Sequence, residues 1–583
     1  MATNPKGVTP PISTAMPTQE ELQLNDTLIE ELKRQNNFET PTETERRKKV
    51  LGILQKVAVE FVKEVLTSKK KFPPSVINAA GGKIFTYGSY RLGVYGPGSD
   101  IDTLLVAPKD VSRDDFFETL PSVLKKHSPP GAIEEMTPVP EAFVPIIKLE
   151  YMSVSIDLIF SNVQASSVPL NMDLKDKNML RGLDDRSLRS LNGTRVTDEI
   201  LELVPQQKVF RTALRAIKLW SKQRAIYANI MGFPGGVVWA MLVARVCQLY
   251  PQACASVIVG KFFRIIGSWA WPQPVLLKQI EEGPLQVKIW NPALYPSDKY
   301  HLMPIITPAY PSMCATHNVT MSTRSIVTTE LKRGGDLCDK IFTGQLAWKD
   351  LFVGHTFFTQ DYRYYLSIVS SSRTKEAQQL WSGLVESKVR HLVGNLDHNE
   401  LISLAHPFNK GFERLHRCRD GEEATAVTRG DLTYQVTEVK TETTDATNDP
   451  RHNAAAEGVL TDIKAPNGET TTNEDGLIEL YTTTYYIGLQ LSEQAKKLDI
   501  SWATNNFREM CIGWQSYNAD LNELHVVHTR SFDLPDDVFK SGEMKPTKLK
   551  KKAGKVTNGD AIALKKRKAE AQTADAANGI KRR

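Results

Sequence analysis

The sequence predicts a multidomain chain that is α/β at its start, mainly helical in the middle and α+β at its end. Three observations carry this. Apolar residues recur at helical spacing over residues 50–65 and again over 206–249. Between Lys83 and Phe160, short β-branched and apolar runs alternate with Gly- and Pro-rich punctuation. Beyond about Thr356, strand-like and helix-like runs alternate once more. A chain of 583 residues, at roughly 150 residues per domain, has room for three or four units.

In chain order, residues 1–17 are polar and Pro-rich and read as a flexible arm. Thr18 and Glu21 match a capping box, followed by Leu22, Leu28, Ile29 and Leu32. Thr42 and Glu45 give a second such signal, and Val50, Leu54, Val57, Ala58, Phe61 and Val65 then mark one face of a helix. Lys83–Tyr87 reads as a strand, residues 93–99 (GVYGPGS) as a loop, and Asp102–Ala107 and Ser153–Phe160 as further strands. Together, residues 18–205 form an α/β domain. A helical pattern through Phe210, Leu214, Ile217 and Trp220 is broken by the GFPGG turn at 232–236, and another apolar helix runs to Leu249. Residues 206–355 are therefore a mainly helical middle domain. Arg363–Val369 and Leu480–Leu491 are the clearest strands of a third domain, 356–540. Within it, about 440–474 is poor in apolar residues and rich in Thr, Asn, Asp and Gly, the composition of a mobile insertion. Residues 541–583 lack aromatics and read as a disordered basic tail.

Composition narrows the class. Apolar content is 41% and charged content 24%, as in a globular protein. The first twenty residues have no apolar run of signal-peptide type, and no stretch approaches the roughly 18 apolar residues of a membrane span. A soluble, intracellular protein that uses no membrane is expected. The six cysteines form no C-x-x-C pair, so there is no zinc signature, and a reducing compartment is the simpler reading. The net charge of +6 belongs to the tail. Residues 541–583 hold 13 Lys and Arg against 4 Asp and Glu, leaving 60 basic and 63 acidic residues elsewhere. A nucleic acid would meet local patches on the body, not an overall positive field.

The chemistry concentrates in 88–106. Gly88-Ser89 is followed ten residues later by Asp100-Ile101-Asp102 running into a strand, and Asp157 interrupts the apolar strand around Ile156 and Leu158. Residues i and i+2 of a strand share a face, so Asp100 and Asp102 project together. A charge at Asp157 is costly in an apolar strand unless compensated. Three converging carboxylates repel one another, and a pair of Mg²⁺ ions reverses that balance. Such a pair can clamp an in-line phosphoryl displacement. Gly88 lets backbone amides approach a triphosphate and Ser89 adds a hydroxyl donor. No Walker A loop is present. A lone D-x-D is more often a solvated strand end, and a lone Gly-Ser is weaker still; their joint spacing with the third Asp makes the catalytic reading.

Gly88-Ser89, Asp100-x-Asp102 and Asp157 resemble the pattern of the DNA polymerase beta-like nucleotidyltransferases. The segments FTYGSYRLGVYGPGSDIDTLLVAP (85–108), FRTALRAIKLWSKQRAIYANIMGFPGGVVWAMLVAR (210–245) and MPIITPAYPSMCATHNVT (303–320) look like nuclear poly(A) polymerases, and the wording at 311–316 is similar to fungal members. The likeness covers most of 20–540. It implies a nucleotidyltransferase catalytic domain with a mixed sheet, a helical middle domain, and a C-terminal RNA-binding domain similar to an RNA-recognition motif. It implies template-independent addition of AMP from ATP to an RNA 3′ end, with two Mg²⁺ (Mn²⁺ as an alternative) on Asp100, Asp102 and Asp157, and closure of the cleft between the catalytic and RNA-binding domains.

The resemblance also implies roles at matched positions. Lys218 and Tyr227 contact phosphates, and Asn229 reaches both the incoming nucleotide and the primer end. Gly235, Gly236 and Val237 pack against the base, Thr307 and Met313 line its pocket, and Phe143 and Lys148 lie near the primer terminus. Taken singly, Lys218 reads as a snorkelling lysine, Tyr227 and Phe143 as core aromatics, Asn229 as a helix terminator, Gly235-Gly236 as a helix start and Lys148 as a surface lysine. The third domain's landmarks are HTFFTQDYRYYL (355–366), HPFNKGF (406–412) and LYTTTYYIGLQL (480–491). Aromatics beside basic residues suit base stacking, although aromatic strands are more often core. The tail clusters Lys548–Lys552, Lys565–Lys568 and Lys581–Arg583 match nuclear-import signals, with a solvated tail as the plain alternative. The family implies poly(A) RNA and a 3′-end cleavage and polyadenylation complex as partners, and a monomeric isolated enzyme in the nucleus. The rival readings are a uridylyltransferase or CCA-adding enzyme, and a catalytically silent RNA-binding scaffold.

Overall fold

The computed structural model describes residues 7–140, 144–436, 476–495 and 497–548. The expected insertion at 440–474, Phe143, and the tail beyond Lys548 lie outside the described residues.

Helix α1 (Gln19–Arg34) starts at the Thr18–Glu21 capping box, with both reciprocal bonds formed. Helix α2 (Pro41–Glu64) is capped by Thr40 with Glu43, two residues before the Thr42–Glu45 pair expected from the sequence. Pro41 decides this: its fixed φ and missing N–H suit the first helical position, which places the cap at the residue before it. Helix α3 (Pro74–Ala80) leads to β1 (Lys83–Thr86), α4 (Gly88–Leu92), β2 (Ile101–Ala107), α5 (Arg113–His127), β3 (Ile133–Val139), β4 (Ile146–Tyr151) and β5 (Ser155–Asn162). Gly88-Ser89 thus opens a short helix, and Asp100 sits one residue ahead of its strand. The β3–β4 hairpin was not read from the sequence. In β3 (IEEMTPV) the charges Glu134 and Glu135 and a proline hide the apolar alternation.

The sheet order is β1-β2-β5-β4-β3, with β2 and β5 parallel and the other pairs antiparallel. It is buried on both faces, which explains the nearly continuous apolar runs. On one face Ile101, Leu105, Ile156, Leu158 and Phe160 pack against Leu54 and Phe61 of α2 and Phe116 and Leu120 of α5. On the other, Leu104, Val106 and Ile159 join the core of the helices that follow. Period-2 alternation puts Asp102 and Asp157 on this second face.

Those helices are α6 (Asp185–Leu203), α7 (Gln207–Gln223), α8 (Gly236–Leu249), α9 (Ala255–Gly267) and Met321–Phe342. Trp220 of α7 is fully buried and meets Trp239 and Phe263 edge-on, with centroids 5.6 and 4.8 Å away. The chain's start is stitched to the same layer. The Ile12 amide donates to the Leu249 carbonyl (2.8 Å), the buried Arg245 donates to Thr9 Oγ1 (2.6 Å), and Trp348 Nε1 donates to the Leu24 carbonyl of α1 (3.0 Å).

The C-terminal sheet contains β6 (Tyr364–Ser372), β7 (Ile402–Pro407), β8 (Phe412–Cys418), β9 (Ile478–Leu491) and β10 (Asn522–Arg530). All pairs are antiparallel in the order β10-β6-β9-β7, and β8 pairs with the other end of the long β9. With helices Lys375–Leu396 and Ser501–Ile512, the strands β6, β7, β9 and β10 follow a strand–helix–strand–strand–helix–strand succession of RNA-recognition-motif type, into which β8 and the short helix Gly421–Thr428 are inserted between β7 and β9. On the sheet's other side Leu534 and Val538 pack among Phe358, Phe408 and Tyr486. Beside them Asp537 accepts a two-pronged bond from the buried Arg414, at 2.7 and 2.9 Å. All six cysteines are buried and unbridged. Among the described residues, no helix is long and apolar enough to cross a membrane.

Phe61 is fully buried between α2 and the first sheet. Phe61→Ala is expected to cost about 3–5 kcal/mol through lost burial and an unfilled cavity, read as a lower urea midpoint.

Candidate active site

Strands β2 and β5 run parallel with Asp102 opposite Asp157. Directly opposed residues point to the same face, so one-residue precision in register brings the two carboxylates side by side. Asp100 joins them from the loop entering β2. Each of the three offers a carboxylate oxygen within 4.8 Å of the others, with Asp157 buried and the other two half-buried. Burial, then the charges of Asp100 and Asp157, hold the Asp102 carboxyl well above the usual range, while Lys218 works in the opposite direction. The half-buried Tyr87 phenol is pushed up by desolvation and by the same carboxylates. An all-oxygen donor set that is costly without positive charge fits hard divalent cations. The chain's own residues thus point to divalent-metal use.

A cleft of about 400 Å³ extends from Asp102 between the sheet and the helical layer. Gly88 and Ser89 form one wall, with Lys218 of α7, Tyr227, Asn229 and Gly235–Val237 facing them. Gly88 has φ +59°, and an added Cβ would stand 2.1 Å from Asp102 Oδ2. Only a residue without Cβ lets the turn lie this close to the carboxylate. Gly236 serves a similar purpose on the far wall, where a Cβ would fall 2.4 Å from the Tyr227 hydroxyl. Gly235 caps α8 in extended conformation, so the two glycines are both a helix start and part of the cleft wall. Asn229 opens a short 3₁₀ turn; its carbonyl accepts from Asn318 Nδ2 (3.2 Å), while its buried Oδ1 has no hydrogen-bond partner among the described residues.

Of the other expected residues, Lys148 joins the site while Thr307 and Met313 do not line it. Lys148 in β4 is the register partner of Asp157, so it shares that face beside the carboxylates. Thr307 and Met313 do not line this cleft. They pair with each other through Met313 N to Thr307 Oγ1 and Thr307 N to Met313 O, both 2.9 Å, with Thr307 buried and Met313 exposed. Ala315, two residues further on, reaches the cleft wall instead. Phe143 is outside the described residues.

Sequence reasoning missed one wall. Arg189, Gly193 and Thr197 of α6 line the cleft at i, i+4 and i+8. Gly193 sits against Tyr87, whose ring would lie 3.0 Å from an added Cβ. A glycine inside a helical pattern, which costs about 1 kcal/mol against alanine, was the available signal. In the C-terminal domain, Phe357, Phe358, Tyr365, Phe408 and Tyr486 from the three aromatic landmarks are all buried. They are core, not free stacking platforms.

Three family models match in succession: the poly(A) polymerase nucleotidyltransferase domain over 7–204, the poly(A) polymerase central domain over 209–354, and the poly(A) polymerase predicted RNA binding domain over 356–548. The chain is 52% identical over 572 residues to Poly(A) polymerase pla1 of Schizosaccharomyces pombe, covering 97% of this chain and 99% of that protein. It is 50% identical to Poly(A) polymerase PAPa of Candida albicans, covering 95% and 96%. The identity to Poly(A) polymerase PAPalpha of the same organism is 47%, covering 96% of each.

Two outcomes follow from the carboxylate cluster. A carboxyl raised in the folded state costs stability increasingly as pH climbs from its unfolded value toward its folded one. At neutral pH and without metal, Asp102→Asn is therefore expected to melt a few degrees higher than wild type, and to gain less from added Mg²⁺, as measured by calorimetry. Gly88→Ala is expected to lower stability by about 1–3 kcal/mol through strain at positive φ and, by displacing Asp102, to weaken the Mg²⁺-induced rise in Tm.

Proposed function

Because the chain belongs to the poly(A) polymerase family, and is a template-independent polynucleotide adenylyltransferase of fungal type, we propose that the Asp100–Asp102–Asp157 cleft transfers AMP from ATP to the 3′ end of RNA. The observation that carries this is the convergence of three carboxylates at one end of a cleft whose walls hold a lysine, an unfilled acceptor and a glycine-lined face. Asp100, Asp102 and Asp157 would hold two Mg²⁺, with Mn²⁺ as a substitute. Bound there, such a pair supplies the positive charge that stabilises attacking and leaving oxygens in an in-line displacement.

The chain's own groups do the rest. Gly88 and Ser89 offer a turn that admits phosphate oxygens close to the backbone, and Lys218 meets their charge from across the cleft. Tyr227 backs the wall, its hydroxyl packed on Gly236. Asn229 Oδ1 can accept from a nucleotide or primer hydroxyl. Gly235–Val237 give the base a flat approach; the resemblance assigns Thr307 and Met313 to the base pocket, although neither lines the cleft, and Phe143 and Lys148 to the primer terminus. The primer 3′-hydroxyl attacks the α-phosphorus, the α–β phosphoanhydride breaks, and pyrophosphate leaves. The working units are 18–205, 206–355 and 356–540, supported by two separate sheets with a helical layer between them.

RNA and nucleotide are the substrates. ATP as the nucleotide is supported by the relatives' printed names, and mRNA as the natural RNA by the resemblance of the segments 210–245 and 303–320 to nuclear poly(A) polymerases. The basic clusters of the tail support work in the nucleus, where a monomeric enzyme is brought to RNA by a 3′-end cleavage and polyadenylation complex.

Extension of a labelled oligo(A) primer with each NTP separately, with Mg²⁺, tests the reading. Wild type is expected to give long products with ATP alone, and Asp157→Ala to give none while keeping its melting profile. Extension with UTP or CTP would overturn the adenylyl specificity, and retained activity in Asp157→Ala would overturn the site.

A further inference from the structure

Two arginines of α7 tie the helical layer to the loop that delivers the carboxylates. Arg215 lies one helical turn before Lys218, and Arg211 one turn before Arg215. Arg215 is 8% exposed. Its Nη1 donates to the carbonyls of Asn37 and Tyr95 (2.6 Å to the latter), and its Nη2 donates to the Gly93 carbonyl (3.1 Å). The rings of Phe38 and Tyr95 flank the guanidinium, with centroids 4.7 and 6.0 Å from Cζ. Arg211 Nε donates to the Leu92 carbonyl (2.9 Å), and Gly93 is left just room for this side chain, an added Cβ falling 2.7 Å from Arg211 Nε.

Leu92 ends α4, and Gly93 and Tyr95 belong to the loop that leaves it and ends at Asp100. The Val94 amide donates to the Ser89 carbonyl (2.9 Å), which anchors the loop's near end, and Gly96 N donates to Ser99 Oγ (3.1 Å), which closes its far end. One short stretch, 88–102, therefore carries Gly88-Ser89 and two carboxylates, while α7 carries Lys218. The Arg215 hydrogen bonds run to neutral oxygens, not to a carboxylate. A buried cation matched by dipoles is a poor source of stability. It is well suited to alignment, because a planar fork of donors can hold carbonyls from two segments at once and a lysine ammonium cannot do so with the same geometry.

We propose that Arg215, seconded by Arg211, is a positioning residue for nucleotidyl transfer: it clamps the 93–99 loop to α7 and so sets the separation of Lys218 from the Asp100–Asp102 pair. The proposal rests on the function given above. A misplacement of about 1 Å in such a site costs about 10²-fold in rate.

Arg215→Lys keeps the charge and removes the fork; Arg215→Met removes both. For the Lys variant, kcat is expected to fall about 10- to 100-fold, with a several-fold rise in the Mg²⁺ concentration for half-maximal rate and in KM for ATP, but with Tm close to wild type. Arg215→Met is expected to go further in the same direction. Without nucleotide, metal or RNA, amide hydrogen exchange of residues 93–99 is expected to quicken at least about tenfold in the Lys variant while the β2 amides stay protected. Unchanged KM, Mg²⁺ dependence and loop exchange in Arg215→Lys would overturn the proposal. So would a Lys variant that does not fold, or rate losses matching only the unfolded fraction, since either makes Arg215 a stability residue. Wild type extends the primer in the same assay if the functional reading holds; if it does not, that reading fails while the exchange experiment still judges the clamp.

Discussion

Like-charge repulsion in one sheet register is the constraint around which this molecule is arranged. The parallel pairing of β2 with β5 sets Asp102 beside Asp157 on the same face, and the loop ahead of β2 adds Asp100. Half-buried and buried carboxylates held this close oppose folding. Apolar packing on both sides of the strands compensates. Phe61, Phe116, Leu105, Leu158 and Phe160 close one face, and Leu104, Val106 and Ile159 close the other just beyond the charges. A slip of one residue in β2 or in β5 would send that strand's own carboxylate, Asp102 or Asp157, into the apolar layer under α2. The register that creates the repulsion is thus the register that hydrophobic burial enforces.

The cleft depends on close approach between elements that side chains would otherwise keep apart. Gly88 brings a turn against Asp102, Gly193 lets α6 settle on Tyr87, and Gly236 lets α8 begin against the Tyr227 hydroxyl. These contacts surround a site formed by one sheet and three helices from a different part of the chain. Its dimensions therefore depend on how the helical layer is fastened to the sheet. The buried aromatic cluster of Trp220, Trp239, Phe262 and Phe263 stiffens α7, α8 and α9 as a body, and the arginines of α7 reach from that body to the loop before Asp100.

The C-terminal domain has the strand order of an RNA-recognition motif, yet its aromatics are used differently. Phe357, Phe358, Tyr365, Phe408 and Tyr486 form an interior cluster closed by Leu534 and Val538 and pinned by the Arg414–Asp537 pair. The sheet face that carries Tyr486 is covered in its aromatic part by the chain's own continuation. Topology carries over from the motif; the location of its stacking surface does not.

By itself the sequence determined what local physics writes down. The capping box at Thr18–Glu21, the helical spacing of α2 and α7, the apolar strands β2 and β5 and the odd carboxylates within them follow from periodicity and from the cost of a lone charge. The spacing from Gly88 through Asp102 to Asp157 points to the three carboxylates that the fold brings together. The start of α2 lies two residues before the Thr42–Glu45 signal because Pro41 at the first helical position makes Thr40 the cap. The β3–β4 hairpin was missed because its polar outer residues mask the alternation. Tertiary structure alone decided what depends on long-range proximity: that α6 forms a cleft wall through Arg189, Gly193 and Thr197, that Ala315 and not Met313 reaches that wall, that the C-terminal aromatics are core, and that Arg215 grips the loop before Asp100. Those contacts join residues tens to more than a hundred positions apart. Their partners are chosen by packing of whole elements, a collective quantity that no local window of sequence contains.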